Sequence, residues 1–107
     1  MHNSSDCIEY YIRTAGANPL YLTAFRPNLS QQSLKPNSPV GSLLPTLTPV
    51  KECRMSFDSL CEAKAVFGLF SDNVDLSYYS GVVGHRFCLC MYNKLDKTEL
   101  GVIARTA

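Results

Sequence analysis

From Cys7 to Thr14 apolar and polar side chains alternate, with Ile8, Tyr10 and Ile12 on one side and Cys7, Glu9, Tyr11 and Arg13 on the other. A period of two, rich in tyrosine and isoleucine, predicts a half-buried β-strand. Residues Thr14–Pro19 then carry turn chemistry, since Gly16 and Asn18 accept positive φ and Pro19 ends the turn. Alternation resumes from Leu20 to Phe25: Leu20, Leu22 and Ala24 share one face, and Tyr21, Thr23 and Phe25 the other. The pattern predicts a β-hairpin over residues 7–25.

The period changes near residue 60. Leu60, Ala63, Val66, Phe67 and Phe70 recur at helical spacing and form one apolar stripe. Ser59 and Glu62 stand three apart as a capping box, Asp58 suits the positive end of the helix dipole, and Ser71–Asn73 end the helix. Before it, Lys51–Phe57 predicts a short strand. After it, Asp72–Ser80 reads as a loop ending in Tyr78 and Tyr79. Gly81–Tyr92 predicts a long strand with Val83, Phe87, Leu89 and Met91 inward and Arg86, Cys88, Cys90 and Tyr92 outward. A turn at Asn93–Lys97 leads to a last strand, Thr98–Thr106, with Leu100, Val102 and Ala104 opposed to Glu99, Ile103 and Arg105.

Between hairpin and helix, residues 26–50 hold five of the six prolines, four serines, five leucines and no acidic residue. Helix and strand are not expected there, because proline removes a backbone donor and fixes φ. The leucines predict an extended arm lying against the body rather than a free linker. The resulting expectation is a single α+β domain, 1–107. It comprises a 7–25 β-hairpin, a 26–50 Pro-rich arm, and a 51–107 strand-helix-hairpin unit. Four to five antiparallel strands would carry one helix on one face.

Composition narrows the function classes. Ten basic and nine acidic residues nearly cancel, which disfavours binding to nucleic acid or anionic membrane by bulk charge. The first residues lack the basic start and apolar run of a signal peptide, and no window approaches the ~18 apolar residues of a membrane span. Five cysteines, an odd number, fit a reducing compartment, so a cytoplasmic protein with no membrane partner is expected.

Catalytic chemistry finds little support. Cys53 and Cys61 are eight apart, unlike the close ligand pairs of zinc sites. Cys88 and Cys90 share a strand face and read as small core hydrophobes. His2 is terminal, and His85, inside a strand, lacks a marked nucleophile or orienting group. No enzyme activity, metal or cofactor is expected. The remaining signal is aromatic: Tyr11, Tyr21 and Phe25, flanked by Arg13 and Arg26, project away from the expected core. Three occupants suit that face: the chain's own arm, a protein partner, or unpaired bases stacked on a sheet platform. Pro36 and Pro39, three apart, add a candidate peptide-groove ligand within the arm. Ile103 and Tyr92, on the expected outer side of the last hairpin, leave a homodimer open.

A tyrosine-rich hairpin (7–25), the segment from Phe57 through Asp58, Ser59, Leu60, Cys61 and Glu62 to Ala63 opening a helix, and a closing strand resemble small accessory proteins of bacteriophages and prophages. The resemblance spans Cys7–Phe25 and Phe57–Met91 and carries over no functional residue. Such proteins include inhibitors of anti-CRISPR type that block a host machine by binding. The resemblance therefore implies a non-catalytic, protein-binding module that occludes the surface of a host protein complex. The alternative is a single-stranded nucleic-acid or regulatory binding module using the same aromatic face.

Overall fold

The computed structural model describes residues 7–27, 43–73 and 86–106. They form an α+β layer pair: an antiparallel sheet of six strands, one of them only two residues long, with one helix across one face. The strands are β1 (Ile8–Thr14), β2 (Tyr21–Pro27), β3 (Leu43–Thr48), β4 (Ser56–Phe57), β5 (Phe87–Asn93) and β6 (Thr98–Arg105), and the helix α1 spans Leu60–Asn73. The order across the sheet is β3-β2-β1-β5-β6, with β4 paired to β1.

β1 and β5 form the centre, paired over their whole length from Ile8↔Asn93 to Thr14↔Phe87. β5 reads Phe-Cys-Leu-Cys-Met-Tyr, and a strand covered on both faces has no need of polar alternation. The turn from β5 to β6 is tied by the Asn93 side chain, whose Oδ1 accepts from the N–H groups of Leu95 (2.9 Å) and Asp96 (3.2 Å). Lys97 closes it at φ 57°. The turn between β1 and β2 uses Gly16 at φ 114°, a conformation open to glycine at no steric cost.

The hairpin expected over residues 7–25 separates almost as soon as it forms. β1 and β2 pair only at Arg13↔Tyr21, after which β4 takes the flank of β1 through Tyr10↔Phe57 and Tyr11↔Ser56. The Met55 N–H donates to the Leu22 carbonyl (2.8 Å) where the two chains diverge. β2 then pairs with β3, which lies inside the segment expected to hold no strand. That expectation fails for 43–48 because β3 is an edge strand, where Pro45 can sit with no neighbour demanding its missing N–H. The expected arm at 28–42 lies outside the described residues, as do Pro36, Pro39, His2 and His85. The predicted strand at 51–57 is a single 3-10 turn, Lys51–Cys53, followed by the two residues of β4.

α1 starts as its sequence requires. The Ser59 hydroxyl accepts from the Glu62 N–H (3.3 Å) and the Ser59 carbonyl from the Ala63 N–H (2.9 Å). Ala63, Phe67 and Phe70 are buried against Tyr10, Ile12, Leu22, Phe57, Phe87 and Leu89. Phe70 meets Phe87 edge-on at 5.0 Å between ring centroids.

Candidate functional site: the helix-free face of the sheet

Among the described residues no α-helix lies over the face opposite α1, yet Tyr11 is only 1% exposed and Tyr92 7%. With Cys88 and Cys90 they form a second apolar cluster, joined at its margin by Tyr21 and Val102. Tyr21 and Tyr92 both contact Tyr11 edge-to-face, at 5.7 and 5.8 Å. The cover comes from the 3-10 turn and the residue after it. The Arg54 guanidinium lies 4.7 Å from the ring centres of both Tyr11 and Tyr92, and the Lys51 ammonium 4.4 Å from that of Tyr92. Cations over ring faces are attracted by the aromatic quadrupole, and their alkyl stems exclude water. Arg54 is further fixed by an ion pair with Glu9 and a 2.7 Å bond to the Lys51 carbonyl.

A second charged group closes the other side. Arg13 grips Glu99 with two parallel bonds of 2.8 Å, and the Tyr11 hydroxyl donates to the same carboxylate at 2.6 Å. The Arg13 bonds, opposed by burial and helped by Tyr11, hold the Glu99 carboxyl down at about 2. Burial, and then the Glu99 carboxylate, push the Tyr11 phenol well above its ordinary range. Burial pushes the Cys90 thiol up to about 12, with the Arg13 charge working against it. A thiol held that high is a packing group rather than a nucleophile.

The candidate contact residues read from the alternation separate in space. Tyr11 is a floor residue, not an exposed one, and Arg13 is committed to Glu99. Phe25 crosses to the helix side and packs on Phe70 at 5.7 Å. The reason is a β-bulge: β2 spends two residues between Leu22 and Ala24 while β3 advances one, so the alternation flips after Thr23. Tyr21 stays on the helix-free side, half-buried. The backbone of Arg26 pairs with Leu44 in the β2–β3 ladder; its side chain, like Pro36 and Pro39, lies outside the described residues. Two further shifts in β6 put Val102 on the helix-free side and Ile103 and Ala104 on the helix side. Ile103 and Tyr92 therefore face opposite ways and form no shared dimer surface.

Among the described residues two hollows open on this face. One, about 390 Å³, is lined by Lys51, Glu52, Arg54, Tyr92, Lys94 and Lys97. The other, about 280 Å³, lies among Pro19, Tyr21 and Pro49 and also touches Lys51. Sequence reading singled out none of Lys51, Arg54, Lys94 and Lys97 as site residues. Their only signal is the pairing of cations at short spacing, Lys51 with Arg54 and Lys94 with Lys97, beside tyrosine-bearing strands.

No protein-family model, curated protein or solved structure matches this chain.

Among the described residues no three His, Cys, Asp or Glu side chains gather as a metal site would require. Cys53 and Cys61 are exposed, and Cys88 and Cys90 buried. No described helix is long and apolar enough to cross a membrane.

Proposed function

We propose that this chain is a non-catalytic protein-binding module, and that its contact surface is the helix-free face around Lys51. The observation that carries the reading is the meeting of two open hollows at that residue, one proline- and tyrosine-lined, the other lysine-lined. Tyrosine and arginine are side chains that protein interfaces enrich, and the lysines suit the polar, solvent-accessible rim around such a centre. The module works by occluding a surface of its partner, as the resemblance to phage-encoded inhibitors implies, and occlusion needs no reacting group. It acts in the cytoplasm, where free thiols such as Cys53 and Cys61 stay reduced.

Single-stranded nucleic acid, the alternative occupant, draws on the same lysines. It also needs open ring faces for stacking. Tyr11 and Tyr92 are buried under Arg54 and Lys51, which favours the protein-binding reading over stacking.

A photoreactive phenylalanine analogue placed at position 18, 97 or 64 tests the proposal in lysate of the source cell. Positions 18 and 97 border the two hollows, and Lys64 is exposed on α1. Crosslinking to one protein from 18 and 97 but not from 64 is expected. Crosslinking from 64 alone contradicts the assignment.

A further inference from the structure

The lysine-lined hollow concentrates positive charge. The whole chain carries a net charge of only +1, yet four of its ten basic residues border this single concavity. Glu52 is the one acidic residue in its lining, and Glu9 offsets Arg54 from beneath. Among the described residues neither Lys94 nor Lys97 has an ion-pair partner. Their backbone is held in place beforehand. The Lys94 N–H donates to the Cys7 carbonyl (2.7 Å), the Asn93 side chain ties the turn, and Arg54 clamps the carbonyl of Lys51. Cations presented from a fixed backbone bind with less ordering cost than the same cations on a loose chain.

The chemistry of the lining selects among anions. Three ammonium groups on flexible stems are point charges that accept carboxylates arriving at varied angles. The one guanidinium fork, which would suit a planar bidentate anion, is already engaged with Glu9 and the Lys51 carbonyl. Next to the lysines, across Lys51, lies a second hollow, lined by Ala17, Asn18, Pro19, Leu20, Tyr21 and Pro49. A ligand spanning both would meet ammonium groups at one end and the rings of Pro19, Tyr21 and Pro49 at the other.

We infer that the occupant is an extended acidic segment of the partner protein: its carboxylates enter the Lys51–Lys94–Lys97 hollow, and an adjoining apolar side chain enters the Pro19–Tyr21–Pro49 hollow. This rests on the protein-binding reading and names the chemistry of that partner. Electrostatic capture of this kind chiefly sets the association rate and the choice of partner.

The test uses the full chain and a fluorescein-labelled peptide of alternating glutamate and leucine, followed by fluorescence anisotropy. Its glutamine–leucine counterpart and an oligothymidylate of equal charge serve as competing probes. Saturable binding of the glutamate peptide is expected, weakening several-fold between about 20 mM and about 150 mM salt as screening shortens. The glutamine peptide should bind at least about tenfold more weakly. Lys94→Gln with Lys97→Gln should weaken the glutamate peptide by about three- to tenfold, the scale of two exposed charge contacts. Lys64→Gln on α1 should leave it unchanged. A thermal melt confirms that each variant is folded.

No binding of the glutamate peptide at low salt overturns the inference, as does equal binding of the glutamine peptide, indifference to the double substitution, or tighter binding of oligothymidylate. If the peptide fails while positions 18 and 97 still crosslink one protein, the acidic chemistry is wrong and the protein-binding reading stands. If those crosslinks are absent as well, that reading falls with it.

Discussion

Glu99 does more for the helix-free face than any residue its neighbourhood in the sequence would nominate. It receives two bonds from Arg13 and one from Tyr11, joining β6 to β1 across β5. Its folded-state carboxyl, held at about 2, lies below the ordinary 4.5. A carboxyl depressed on folding contributes stability that is present above its unfolded pKa and lost as pH falls through the folded one. Stability should therefore decline between about pH 4.5 and pH 2. Glu99→Gln should lower stability at pH 7 by about 1–2 kcal/mol, since it leaves Arg13 uncompensated and weakens the bond from Tyr11. The substitution should also flatten that acid decline, and urea unfolding at pH 7 and pH 3 reads both effects. A wild-type pH dependence in the variant would assign the acid loss to another group. The partnership was invisible beforehand because Arg13 and Glu99 stand 86 positions apart. Alternation placed each on its strand and could not pair them.

At the scale of elements, α1 is held by its aromatic face rather than by its cap. Phe70 is fully buried and touches Phe25 and Phe87. Phe70→Ala should cost about 3–5 kcal/mol through lost burial and an unfilled cavity. Leu69→Ala, one position along on the exposed side, should cost under about 1 kcal/mol by the same denaturation assay. A similar loss from both would mean that the helix is seated differently. The helix, its capping serine and its stripe were all legible, because the 3.6-residue period and the hydroxyl cap act locally. The α+β class and the strands β1 and β5 were legible for the same reason, but their central pairing, between segments far apart in the chain, was not. What failed were the places where one extra residue changes the phase. The bulge at Thr23 turned Phe25 from the open face to the core, and the shifts in β6 parted Val102 from Ala104. Alternation assumes an uninterrupted period of two, and a bulge leaves no mark in the apolar pattern. Pro45 misled in the opposite way: proline forbids a central strand, but β3 sits on the edge.

For the whole molecule, the sheet divides two kinds of packing. One side is a hydrocarbon core under α1, the other a thin layer of tyrosines and cysteines sealed by Lys51, Arg54 and the Arg13–Glu99 pair. On the proposed reading the sealing groups are themselves the surface that a partner meets, so fold and contact would depend on the same residues. Of the expected site residues whose side chains are described, Tyr21 alone both stays on this face and borders a hollow. The lysines that replace the others come together only when the 3-10 turn and the β5–β6 turn approach across Tyr92. Hydrogen exchange on the chain, free and bound to the protein its crosslinks capture, tests the placement of that surface most directly. Binding should slow exchange at Lys51–Arg54 and Asn93–Lys97 and leave the exposed turns of α1 unchanged. Protection confined to α1, with no change beside Lys51, would contradict it.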